Sequence, residues 1–297
     1  MAYSSGGLIQ ATDYNGFASS VNTLWGTGSG NSGYGQSSTV PTVAASNTVT
    51  ATQWATLIAR MQSIQQHQAN NTTGVPGQPT AGGVITYLST VSTCISTITT
   101  NRLVTYAYGT PITLNNTNAT GWVTSATKTY TFTFASADQA RYLFNCGGYV
   151  SLNPGGTSLT GNSKSTYWNS FLNSGFAYFN LFAGYCTRGG TGYTQNTLLG
   201  SQGFYNLTTT PTVYLQLTDS PSSADYTSNY LQVLCSVNAG GTVVTITLYA
   251  VDAAADTFDD TVSGTFGTTG YIGLPETTYI TNTWGTPTIA NTVNTQS

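Results

Sequence analysis

The chain has 297 residues, 39% hydrophobic and 12% aromatic, which is enough to bury a core and excludes disorder by low hydrophobicity and high charge. Charged residues make up only 5%, against roughly 25% in ordinary globular domains, and the net charge is −3. The six bases, Arg60, Arg102, Lys128, Arg141, Lys164 and Arg188, are scattered and form no patch that would displace counterions, so nucleic acid is excluded as a partner.

The first third carries helical signals. In "ATDYNGFASSVNTLWG", Thr12 reads as an N-cap, Phe17, Val21, Leu24 and Trp25 share one face, and Gly26 stops the helix. The Gly/Ser stretch "GTGSGNSGYGQSSTVPTVAASN" is too long and polar for a simple connection, and is expected to wrap a surface or a partner around Tyr34. Thr50 and Gln53 then form a capping box, followed by Trp54, Leu57, Ile58, Met61 and Ile64 at helical spacing, a face read as a docking helix. In "VITYLSTVSTCISTITTNR", Leu88, Val91, Ile95 and Ile98 fall at coiled-coil spacing, and these four suggest an oligomerisation seam, with a homotrimer as the preferred state. Their β-branched neighbours leave a strand reading open for parts of the segment.

From about Leu103 the period falls to two. "TKTYTFTFA" alternates Tyr130, Phe132 and Phe134 with threonines, "TVYLQLT" alternates Val213, Leu215 and Leu217, and "NYLQVLCSVNAGGTVVTITLYAVD" reads as a hairpin turning at Ala239-Gly240-Gly241. "ARYLFNCGGYVSL" reads as a strand with Tyr142, Phe144 and Cys146 on a buried face, a bulge or a close backbone approach at Gly147-Gly148, and Arg141 at the strand edge facing Asp138 or a neighbouring chain. One helix is expected within the sheets, at "SKSTYWNSFLNS", with Trp168, Phe171 and Leu172 on its face. The expected fold is therefore α+β, with a helical docking and oligomerisation region over 1–102 and an antiparallel β-sandwich or jelly-roll-like domain over 103–297.

Candidates for chemistry are few. His67, the one histidine, sits among glutamines and reads as a polar surface or interface residue; any triad would need it as the base. Seven of the nine acids lie between Asp219 and Glu276, including Asp252, Asp256, Asp259 and Asp260. They read first as a solvated acidic loop, with a calcium site or a glycan-hydrolysing pair as alternatives. Cys94, Cys146, Cys186 and Cys235 are far apart with no metal-type spacing, so buried reduced thiols are expected. The Gly-rich "TRGGTG" and "GTGSGNSGYG" lack the Lys-Ser/Thr of a phosphate loop and read as loops. No catalytic residue, cofactor or metal ligand is assigned.

No run approaches the roughly 18 apolar residues of a membrane span, and "MAYSSGGLIQ" has neither the basic region nor the apolar core of a signal peptide, so the expectation is a cytoplasmic chain without a membrane partner. A surface of hydroxyls and amides with little net charge sets up weak repulsion between copies, which suits an assembly subunit.

Three stretches carry a family resemblance: "LIQATDYNGFASSVNTLWGTGSGNSGYGQ" with "TVTATQWATLIARMQSIQQHQ", the "ARYLFNCGGYVSL" segment, and the run from "YLQVLCSV" through "YAVDAAADTFDDTVSGTF" to "WGTPTI". Together they resemble virion structural proteins of tailed bacteriophages, particularly of cyanobacterial and marine phages. The resemblance spans nearly the whole chain as a collective pattern and carries over no catalytic residue. It implies a non-enzymatic particle component of tail, baseplate or fibre type, assembled in the host cytoplasm. Its partners would be further copies of itself and other phage structural proteins. A fibre-tip module binding a host receptor or surface glycan, or a capsid decoration protein, are the alternatives.

Overall fold

The computed structural model describes residues 10–79, 88–218, 226–253 and 261–297, and of residues 119 and 120 the backbone alone. The chain is α+β and divides into two compact units. The first takes the described residues of Met1–Gly109 together with Arg141–Gly147 and Pro275–Thr283; the second takes those of Thr110–Ala140, Gly148–Leu274 and Trp284–Ser297. The helical region therefore ends a few residues beyond the expected 102, and two later segments return to it.

In the first unit α1 (Ala11–Trp25), α2 (Ala51–Ala69) and α3 (Leu88–Thr100) pack against one another. α1 begins earlier than Thr12: the Asp13 carboxylate accepts the Gln10 N–H at 3.3 Å, so the acid of the first turn holds the entry. Its buried face is Tyr14, Ala18, Val21, Leu24 and Trp25, with Phe17 at the rim. The α2 capping box is formed in both directions, Gln53 N–H to Thr50 Oγ1 at 3.3 Å and Thr50 N–H to Gln53 Oε1 at 2.8 Å. The strand alternative for the third segment is overturned over the described residues, where Val91, Cys94 and Ile98 line one helical face. Residues 84–87 of that segment lie outside the described residues.

The largest departure from expectation is "ARYLFNC". It is not a strand but the body of α4 (Ala137–Asn145), which runs across the boundary between the two units' portions of the chain. Ala140, Leu143 and Phe144 are buried at positions i, i+3 and i+4, which only a helix brings to one face. Ser136 caps it, its Oγ accepting the Gln139 N–H at 3.1 Å. In place of a bulge there is a left-handed helix stop, where Gly147 has φ +85° and its N–H reaches the Phe144 carbonyl at 3.1 Å, and the backbone of Thr105 makes the close approach that was the other expectation.

The second unit holds two six-stranded antiparallel sheets in a sandwich-like arrangement. One has the order β1 (Ile112–Trp122), β11 (Val262–Gly273), β3 (Tyr149–Asn153), β5 (Phe179–Leu181), β6 (Cys186–Arg188), with β4 (Ser158–Leu159) also paired to β11. The other has the order β12 (Thr288–Gln296), β2 (Ser125–Thr133), β10 (Val243–Val251), β9 (Tyr230–Val237), β8 (Thr212–Thr218), β7 (Thr194–Leu198). Period two is plainest in β10, where Val244, Ile246, Leu248 and Ala250 are buried and the residues between them are half-exposed. The β9–β10 hairpin turns where expected, with Asn238 Oδ1 accepting the N–H groups of Thr242 at 2.8 Å and Val243 at 3.0 Å. Tyr130 of β2 crosses the core to β11, its hydroxyl 2.9 Å from the Thr268 carbonyl, over Gly270, where a Cβ would meet its ring at 2.7 Å. α5 (Ser163–Ser170) and the π-helical turn Phe171–Phe176 bury Trp168, Phe171 and Leu172 as expected.

Candidate functional site

Several of the ionisable and polar residues are held by internal partners, some in each unit. In the first unit the Gly-rich loop after α1 folds back on itself. Gly28 at φ +50° and Gly33 at φ +99° oppose each other so closely that a Cβ on either would meet the other's Cα at 2.8 Å. Its carbonyls point at cations and amides. Arg141 donates from Nη2 to Thr27 O at 2.7 Å and from Nη1 to Ser32 O at 2.8 Å. Asn145 donates from Nδ2 to Gly33 O at 3.0 Å, and Arg102 from Nε to Asn31 O at 3.1 Å. A phosphate loop needs its N–H groups turned toward the ligand, whereas here the carbonyls are gathered by the chain's own donors. Arg141 is thus a helix residue gripping a loop, not a strand-edge residue.

The same loop delivers Tyr34 into the core, where its ring lies edge-on to His67, centroids 5.2 Å apart, and its hydroxyl accepts from Gln68 Nε2 at 2.9 Å. The loop wraps its own helices. His67 is 0% exposed, which overturns its reading as a surface residue. Its Nε2 donates to the Cys146 carbonyl at 3.0 Å, while Nδ1 is buried without a hydrogen-bond partner among the described residues. Burial pushes the imidazole down to about 4, the Cys146 bond pulling weakly the other way, so the ring is neutral at physiological pH. No substrate reaches such a base.

The helical faces assigned to partners are also internal. Trp54, Leu57, Ile58, Met61 and Ile64 are fully buried in their own unit's core, so their apolarity serves folding and offers no docking surface. Val91 and Ile98 are buried beside α1 and α2, whereas Leu88 and Ile95 are only half-buried. Cys94, which the seam left out, holds the inward position between them, since the buried stripe Val91, Cys94 and Ile98 keeps the 3-4 spacing in a different phase from the expected one.

In the second unit Lys164 of α5 and Asp252 after β10 form a buried ion pair, both side chains 3% exposed. The Asp252 carboxylate is therefore buried against Lys164 and is not solvated. Asp219, Asp256, Asp259 and Asp260 lie outside the described residues. Lys128 of β2 is buried at 0% exposure in the sandwich. Its Nζ donates to Asn116 Oδ1 at 2.6 Å and Asn118 Oδ1 at 3.2 Å, both on β1, and sits 5.2 Å from the centre of the Phe266 ring. Desolvation lowers its pKa to about 8. Sequence reading missed this centre, although a lysine alternating in phase with Tyr130 and Phe132 was the available signal.

The surface of the second unit carries aromatic residues at the turn joining β5 to β6. Phe182 and Tyr185 stack with centroids 4.5 Å apart and planes at 12°, closed by the Phe182 N–H to the Tyr185 carbonyl at 2.9 Å. Tyr185 is 44% exposed and Tyr178, just before β5, 41%.

Among the described residues no three His, Cys, Asp or Glu side chains gather in a group able to hold a metal, and no helix is long and apolar enough to cross a membrane. All four cysteines are buried and free. No protein-family model matches the chain, and neither a curated protein nor a solved structure is significantly similar to it.

Proposed function

We propose that this chain is a non-enzymatic structural subunit of a tailed bacteriophage particle, a tail, baseplate or fibre-type component assembled in the host cytoplasm and carried in the virion. The observation that supports this reading is that the residues from which a catalyst would be built are tied internally. His67 is sealed and neutral, Arg102 and Arg141 hold loop carbonyls, and Asp252 is paired with Lys164. The charge-poor surface of hydroxyls and amides suits packing against identical copies and other particle proteins. With the α2 face buried, docking falls to outward positions of the helical unit such as Leu88 and Ile95. Mass spectrometry and immunogold labelling of gradient-purified particles test the reading: a fixed copy number at one place on the particle is expected, and particles that lack the chain overturn it.

A second reading, a glycan-binding module at a fibre tip, is favoured by the exposed Tyr185 and Tyr178 beside a stacked turn, since aromatic faces bind the apolar faces of sugars at low entropic cost. Binding to a glycan array that disappears in Tyr185→Ala with the fold intact would support it. Binding unchanged in that variant would remove this turn from the reading.

A further inference from the structure

Lys128 is a buried amine with no carboxylate partner at hydrogen-bonding distance among the described residues; amides surround it instead. Asn116 and Asn118 lie two apart on β1 and present their side-chain oxygens to Nζ at 2.6 and 3.2 Å. The Phe266 ring covers the amine at 5.2 Å. Asn294 stands directly across from Lys128 in the β12–β2 register, and its Oδ1 is buried without a hydrogen-bond partner among the described residues. The primary amine of Lys128 and the primary amide of Asn116 are thus held side by side, the lysine shielded from water. Because Cγ is one carbonyl bond, about 1.23 Å, from Oδ1, the Asn116 carbon lies within about 4 Å of Nζ, close to the ~3–3.5 Å of a near-attack pair.

We propose that Lys128 and Asn116 join in an intramolecular isopeptide bond, which ties one sheet of the sandwich to the other. In this step the Nζ lone pair attacks Cγ of Asn116, forming the Nζ–Cγ bond. The Cγ–Nδ2 bond breaks, a proton passes from nitrogen to nitrogen, and Nδ2 leaves as ammonia. No electrons are exchanged, so no oxidant or reductant is needed. Asn118 Oδ1 orients the amine by accepting one of its N–H bonds and keeps that bond with the product amide. Two features drive the reaction forward. Burial favours the uncharged amine, which is the nucleophilic form, and the product replaces a desolvated cation by a neutral, hydrogen-bonded amide. The close pairing substitutes for a bimolecular encounter, as in other intramolecular acyl transfers.

Intact-mass spectrometry of the full chain, freshly purified and after prolonged warm incubation, tests the proposal. The expected result is a species lighter by one ammonia that accumulates with time, and tandem spectra of its digest that show a branched peptide joining Lys128 to Asn116. A succinimide formed at an asparagine also loses ammonia, so Lys128→Arg and Asn116→Ala are measured beside it. Both variants should keep the unreacted mass, and Asn118→Ala should slow the conversion. The wild-type mass is decisive even if a variant misfolds. A folded wild-type chain that keeps its full mass after incubation overturns the proposal, as does ammonia loss that persists in Lys128→Arg or Asn116→Ala.

Discussion

His67 Nε2 lies 3.0 Å from the Cys146 carbonyl oxygen, a hydrogen bond between residues 79 positions apart that fastens α2 to the turn after α4. The carbonyl can only accept, so Nε2 carries the proton and the bare Nδ1 faces a dry interior. One contact thus fixes the tautomer and removes the chain's only histidine from surface chemistry.

The burial of that ring makes the fold acid-sensitive, against the weaker opposite pull of the Cys146 bond. An unfolded histidine titrates near about 6.5, whereas burial holds His67 at about 4. Between those values the unfolded chain binds a proton that the folded chain refuses. This contribution to stability is complete above the unfolded pKa and falls as pH drops through the window. Thermal melts at a series of pH values should show a steeper loss of Tm for wild type than for His67→Gln, which keeps an N–H donor for Cys146 but cannot titrate. Parallel curves would contradict the assignment.

The Lys164–Asp252 pair should behave as a buried ion pair. Asp252→Asn leaves a desolvated ammonium without its counter-charge and should cost about 3–5 kcal/mol in urea unfolding. Replacing both, Lys164→Met with Asp252→Leu, should recover most of that loss because no charge remains buried. A double variant less stable than the single one would show that the pair is held by more than mutual neutralisation.

Gly147 is required by backbone conformation. At φ +85° a Cβ would meet the Thr105 nitrogen at 2.6 Å, so Gly147→Ala combines a left-handed penalty of about 1–2 kcal/mol with a backbone clash. Gly77, with no atom within 4 Å of its would-be Cβ, is the control: Gly77→Ala should move the urea midpoint little. Equal midpoints for the two variants would refute the argument.

The thiols should be silent until the chain unfolds. Burial pushes Cys94 and Cys186 up to about 11 and Cys146 and Cys235 well above the ordinary thiol range. An aromatic disulfide reagent at neutral pH should titrate none of the four cysteines in the native chain and all of them in guanidinium. Rapid native labelling of any one would place it in a region that opens locally.

By itself the sequence determined what depends on neighbours a few residues apart. The Thr50–Gln53 box started α2, the alternation of Val244, Ile246, Leu248 and Ala250 made β10 a strand, and Asn238 to Gly241 turned the hairpin. The same local chemistry held a correct account of α4 in Ser136 and Gln139, a capping pair masked by the aromatic, strand-like look of "YLF". Only the tertiary structure decided which polar residues are buried and with whom. His67 meets Cys146, and Lys128 meets Asn116, because helix packing and strand order bring distant segments together. β1 pairs with β11, whose residues lie some 150 positions later in the chain, as Asn115 with Thr269. No periodicity read within a turn or a strand records that pairing, since its free energy comes from burying surfaces that local sequence does not connect.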